Sequence, residues 1–203
     1  ALIDLNELNI EDSAYIAASG YYGKGGDCGS LTVLADHLNI SGPAVSSDPF
    51  GRDGTGIFAE TGPNGGKGGR ITIDTDWLDM TNRCKITSSS YGPGNAGPID
   101  ISATRFDVLE GSSILSSAYG SGKGGLINIL SDDVYISGVH PDSYIDGITG
   151  EKALAPSAIG SQAGMGGGNG EKLKIRTNTL TINDGGRLST DTFGTGDAGD
   201  IDI

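Results

Sequence analysis

Short runs in which apolar and polar residues alternate return in a fixed order along the chain, with glycine-rich stretches between them. The first kind of run reads LTV at Leu31, ITI at Ile71, IDI at Ile99, INI at Ile127, LKI at Leu173 and IDI at Ile201, so successive starts lie 40, 28, 28, 46 and 28 residues apart. A second kind begins seven residues after the first in each complete copy: Leu38/Ile40, Leu78/Met80, Phe106/Val108, Val134/Ile136 and Leu180/Ile182, with Leu8/Ile10 as the same element of the first copy. A third follows six residues after the second, at Ile16, Ile86, Ile114 and Leu188, and enters a run of small residues such as ITSSSYG or ILSSAYG.

Strict alternation marks a strand with one buried face, and three such strands per 28-residue unit leave room only for short corners. Equal register stacks each strand on its equivalent in the next copy. The expected fold is therefore all-β: a right-handed parallel β-helix (β-solenoid) with three short strands per 28-residue coil and about six coils, forming a single domain over residues 1–203. The two long gaps carry 12 and 18 extra residues, almost all at one corner: Ile40 to Ile57 is 17 residues and Ile136 to Ile159 is 23, where other copies use six. The insertions Ser41–Gly56 and Ser137–Ser157 are thus expected to leave the same corner three coils, or about 14 Å, apart.

Composition fits such a stack. Glycine makes up 36 of 203 residues and aromatics only 6%, so the core is built from small and branched aliphatic side chains and the glycines mark recurring turns. No three-residue period is present, which excludes collagen. The 13 Lys+Arg against 26 Asp+Glu give a formal charge of −13 and a pI near 4.3, a field that repels nucleic acid and anionic lipid. No apolar run is long enough to cross a bilayer as a helix, and the start Ala-Leu-Ile-Asp lacks the features of a secretion signal. The chain begins and ends within repeats and reads as a segment of a longer solenoid. Cys28 and Cys84 fall about two coils apart, beyond disulfide reach, and are expected to be free thiols.

The corner after the third strand reads YYGKGGDCG, GGKGG, YGPGNAG, YGSGKGG, MGGGNG and FGTGDAG, where glycine is expected to supply positive φ. Lys24, Lys67 and Lys123 are roughly equivalent there, and GSGKGG superficially resembles a phosphate loop. No Ser or Thr follows the lysine and a strand comes next, so the match fails. Tyr21, Tyr91, Tyr119 and Phe193 share one position, expected as an aromatic ladder shielding the corner, with a sugar-binding ridge as the alternative.

Segments of the form ITI, then LxI, then GxxIxSSxYGxGxAG recur at Ile71–Gly97, Ile99–Gly125 and Leu173–Gly199. They resemble the repeats of filamentous-haemagglutinin-like exoproteins of the two-partner secretion type, especially the large cyanobacterial ones. The resemblance implies a right-handed parallel β-helix, secretion to the cell surface, and a role in adhesion, display or extension. The N-terminal secretion domain of that family is not found in this sequence.

Parallel β-helices also include polysaccharide-degrading enzymes whose carboxylates, arginines and calcium ligands project from adjacent coils. Outward candidates here are Asp74, Asp76, Asp79, Asp100, Asp107, Asp132 and Asp133, with Arg83 and Arg105, although exposure alone explains charges at the polar positions of a strand. His37 and His140 belong to no nucleophilic triad, the glycine-aspartate corners lack the nine-residue calcium-repeat period, and the sequon at Asn39 places Ile40 in the core. Residues of the two insertions are the expected ligand contacts: Phe50, Arg52 and Asp53 in the first, His140, Asp142, Tyr144 and Asp146 in the second.

The expectation is thus a non-enzymatic, secreted structural or adhesive module with no cofactor and no metal. Its partners are other copies or the rest of a longer solenoid through open coil ends, and surface glycans or a neighbouring cell surface. The alternative is a polysaccharide-binding or polysaccharide-degrading β-helix enzyme.

Overall fold

The computed structural model describes residues 1–20, 26–42, 54–145, 152–166 and 168–203. All regular elements among them are strands. In chain order they begin with β1 (Leu2–Glu11), β2 (Tyr15–Ala17), β3 (Leu31–Ser41), β4 (Gly56–Phe58), β5 (Ile71–Thr81) and β6 (Lys85–Thr87). Next come β7 (Ile99–Leu109), β8 (Ser113–Ala118), β9 (Ile127–Ser137), β10 (Val139–Ile145) and β11 (Lys152–Pro156). The chain closes with β12 (Ala158–Ala163), β13 (Leu173–Arg176), β14 (Thr179–Asn183), β15 (Arg187–Thr192) and β16 (Ile201–Asp202).

Two parallel sheets result. The larger has eight strands in the order β1-β3-β5-β7-β9-β13-β16, with β14 also on β9; the smaller has six, β15-β12-β8-β6-β4-β2. Neighbours in each sheet are successive copies of the repeat, an order compatible with a parallel β-solenoid. The register carries the apolar columns read from the sequence: Leu31, Ile71, Ile99, Ile127 and Leu173 pair in turn, as do Leu38, Leu78, Phe106, Val134 and Leu180. In the smaller sheet Ile16, Ile57, Ile86, Ile114, Ile159 and Leu188 stack likewise. Most of these side chains are fully buried in one core, where each contributes about 1.5–3 kcal/mol.

Three strands per repeat were expected, and the structure joins the first two. The first and second alternating runs are one strand of ten or eleven residues from β1 to β9, and only the last copy breaks them into β13 and β14. The corner between them shrinks to a bend at which Asp36, Asp76, Thr104 and Asp132 drop out of the ladder. Hydroxyls secure it: Thr75 Oγ1 donates to the Asp36 carbonyl at 3.1 Å and lies 3.0 Å from the Trp77 carbonyl. Ser131 and Thr177 repeat that pattern two and three strands on, with the carbonyls of Thr104 and Asp133 and of Asp132 and Thr179.

Among the described residues the positive φ expected at the glycine-rich corner is found at another one. Where the large-sheet strand turns towards the small sheet, the pairs Asp12/Ser13, Asn82/Arg83, Glu110/Gly111 and Asp184/Gly185 all have φ between 48° and 86°. Both insertions leave at that same corner, and their first glycines, Gly42 and Gly138, also have positive φ. The second insertion forms an antiparallel hairpin of β10 and β11. Residues 43–53 of the first lie outside the described residues.

At the glycine-rich corner the requirement is close approach. A Cβ on Gly122 would lie 1.9 Å from the Gly94 carbonyl oxygen, and one on Gly168 would lie 1.7 Å from that of Gly122. Backbone of successive copies fills the space a side chain would need. Inward hydroxyls of the small sheet bolt the corner down: Ser88 donates to the Gly69 carbonyl, Ser116 to that of Gly97 at 2.6 Å and Thr190 to that of Gly199 at 2.6 Å.

Candidate functional site

Beyond the bend, the large-sheet strands point Leu38, Leu78, Phe106 and Val134 inward, so the residues on either side of each point out. Register then fixes two outward columns. One runs Glu7, His37, Trp77, Arg105, Asp133 and Thr179; the other runs Asn9, Asn39, Asp79, Asp107, Tyr135 and Thr181. Members of a column are about 4.8 Å apart, and the two columns about 6.7 Å.

Trp77 is 47% exposed on this face. The His37 ring meets its ring at right angles, with centroids 4.8 Å apart and an interplanar angle of 85°. Arg105, on the next strand, sends Nε and Nη2 to Asp107 Oδ2 at 3.0 and 2.5 Å, and Asp107 is only 4% exposed. That carboxylate raises the Arg105 pKa further above its ordinary value. Asp79 is half-buried opposite Asp107; burial first, and the neighbouring Asp107 charge second, push its carboxyl above the usual aspartate range, against the pull of Arg105 and His37. Tyr135 ends the cluster, its hydroxyl 3.4 Å from Asn183 Nδ2.

Of the outward charges named from the sequence, Asp79, Asp107, Asp133 and Arg105 come together here, while Asp74 and Asp100 lie before the bend beside a shallow depression of about 190 Å³. Asp100 there pairs with Arg70. Arg83 sits at the positive-φ corner, away from both groups. Trp77 and His37 were missed as a pair. The available signal was their separation of 40 residues, the same offset that relates Leu31 to Ile71.

The other expected site residues fare differently. Phe50, Arg52, Asp53 and Asp146 lie outside the described residues, as does Tyr21. His140, on β10, has Nε2 3.2 Å from Asn82 Oδ1 and accepts from the Asp142 backbone N–H at Nδ1, 3.1 Å away, so it braces the hairpin against the neighbouring corner. Asp142 is exposed and Tyr144 is in β10.

The aromatic ladder is interrupted. Among the described residues its positions run Gly62, Tyr91, Tyr119, Gly164 and Phe193, so Tyr91 and Tyr119 stack with centroids 4.7 Å apart while Gly164 separates them from Phe193. The lysines do not form a row either. Asn95 stands between Lys67 and Lys123, and Asp27 occupies the equivalent place in the first copy; Asp27 and Asn95 accept the Lys67 and Lys123 backbone N–H groups at 2.8 and 3.0 Å. Lys24 lies outside the described residues.

Cys28 and Cys84 are free, and burial pushes the Cys84 thiol up to about 12. Among the described residues no three His, Cys, Asp or Glu side chains converge as a metal site. No protein-family model, curated protein or solved structure matches the chain.

Proposed function

We propose that the chain is a segment of a right-handed parallel β-solenoid of about six coils, a filamentous-haemagglutinin-like extracellular module that works as a rigid, non-enzymatic support for adhesion and display. The observation that carries this is the unbroken register: every large-sheet strand pairs with its equivalent one repeat away, and the six residues of the Ile86 column follow in step on the small sheet without a missing partner. Parallel ladders on two sides resist bending, and a further repeat, from a longer chain or a second copy, extends both by the same pairing.

Electron microscopy of the purified chain across a concentration series tests the mechanical part. Rods one solenoid wide, short or growing end to end, are the expected result; compact round particles at every concentration would end it. Growth with concentration identifies a second copy as the partner at the open ends.

A second reading, a polysaccharide hydrolase, is favoured by one observation: Asp79, with its raised carboxyl pKa, stands opposite the buried Asp107 on adjacent strands. Incubation with soluble polysaccharides decides between the two. No release of reducing ends is expected; release that disappears in Asp79→Asn and Asp107→Asn would replace the structural reading with the enzymatic one.

A further inference from the structure

We propose that the Trp77 face of the large sheet binds a linear glycan of uncharged sugars, lying across the strands. This goes beyond the structural role above. Trp77 offers a half-exposed indole among polar side chains in the two columns beyond the bend, and His37 holds it from the neighbouring strand. The axial C–H groups of a pyranose are apolar and its rim is a ring of hydroxyls, so its ligand-binding surface needs an aromatic plate surrounded by flat polar groups. Asn39, Asp79, Arg105 and Tyr135 supply them in the two columns about the indole, and the buried Asp107 holds the Arg105 guanidinium in place.

The spacing fits a chain as well as a single sugar. Neighbouring strands are about 4.8 Å apart, close to the length of one sugar unit in an extended chain, so a glycan crossing the strands meets a fresh pair of side chains at each unit. Every one of these side chains stands on a strand paired on both sides, so binding costs little ordering of the protein.

Charge selects the class of glycan. Asp79, Asp107 and Asp133 face one guanidinium, Arg105, and Asp107 already engages it. A uronate or sulfated chain would bring more negative charge to this cluster, on a chain with a formal charge of −13. Sugar hydroxyls instead donate to the carboxylates and add no charge. Asp79 is the acceptor best placed to gain, being half-buried beside another carboxylate.

Native gels cast with hydroxyethylcellulose, glucomannan, galactomannan or polygalacturonate test this on the full 203-residue chain. Retardation is expected in at least one of the three neutral gels and not in polygalacturonate, with Trp77→Ala weakening it at least about tenfold and the melting temperature little changed. Leu130→Ala, on the other half of the same sheet face, is expected to bind as the wild type does. Should Trp77→Ala lose its circular-dichroism signature, His37→Ala carries the same expectation. Free migration in all three neutral gels, equal retardation of well-folded Trp77 and His37 variants, or equal retardation by polygalacturonate would each overturn the proposal. Failure here leaves the solenoid reading intact, whereas compact round particles in the microscope leave this one intact.

Discussion

A single missing methyl group decides the glycine-rich corner. Gly94, Gly122, Gly168 and Gly196 form a column in which each would-be Cβ lies 1.7–2.2 Å from the carbonyl oxygen of the glycine before it. Gly122→Ala is therefore expected to destabilise the chain by about 1–3 kcal/mol, a fall of roughly 3–10 °C in melting temperature. Gly26→Ala is the control: its Cβ would meet nothing within 4 Å, and its melting temperature is expected to stay with the wild type. Asp79 carries a residue-scale prediction of the opposite sign. Its carboxyl pKa is raised above the ordinary 3.8, so the folded state holds its proton longer than the unfolded state and loses stability as pH climbs through the raised value. Asp79→Asn is expected to melt with the wild type at pH 3 and about 1–2 °C higher at pH 7, the modest size set by partial exposure to solvent. Equal gains at both pH values in a calorimetric series would contradict that account.

The element that differs most from the sequence reading is the long strand. Two alternating runs looked like two strands because an extra polar residue, such as Asp36 or Asp76, breaks the period between them. In the structure the break is a bend within one strand, since the backbone groups it exposes are recovered locally by the hydroxyls of Thr75, Ser131 and Thr177. Ala35 and Ala103 hold the same position in other copies, so the hydroxyl stabilises the bend without being required for it. Thr75→Val is expected to cost about 1–2 kcal/mol with no change of fold. Chemical denaturation measures this, and a cost near zero would mean that the bend is fixed by the core alone. The hairpin of β10 and β11 lies at the positive-φ corner and pairs only with itself. An insertion of this kind leaves both parallel ladders in register, which is why its 18 extra residues do not disturb the columns on either side.

On the scale of the whole molecule, stability is shared along a stack whose middle is enclosed and whose end strands have a neighbour on one side only. Ile101 is 2% exposed between Ile73 and Ile129, whereas Ile3 in the same column is only partly buried on β1. Ile101→Ala is expected to cost about 3–4 kcal/mol. The same change at Ile3 is expected to cost less than half as much, because one wall of the cavity is already open. Equal costs in denaturant melts would show that the end strand is packed as tightly as the middle.

What the sequence alone determined follows from a period. Apolar alternation repeated at a fixed offset dictates which residues face the core, that strands pair in parallel with their equivalents, and where extra residues can leave; Leu31 to Ile71, Leu38 to Leu78 and Ile16 to Ile57 all pair as their spacing requires. Only the tertiary structure decided what happens on the outside. Every outward position looks alike in a strand, so exposure explained Asp79, Asp107 and Arg105 equally well one by one, and Trp77 carried no pattern of its own. Their meeting depends on register between residues 28 or 40 apart, on the burial that raises the Asp79 carboxyl, and on the ring contact between His37 and Trp77. The aromatic ladder makes the same point from the other side: four aromatics share a position in sequence, but glycines at Gly62 and Gly164 stand between copies, and contact requires adjacent copies.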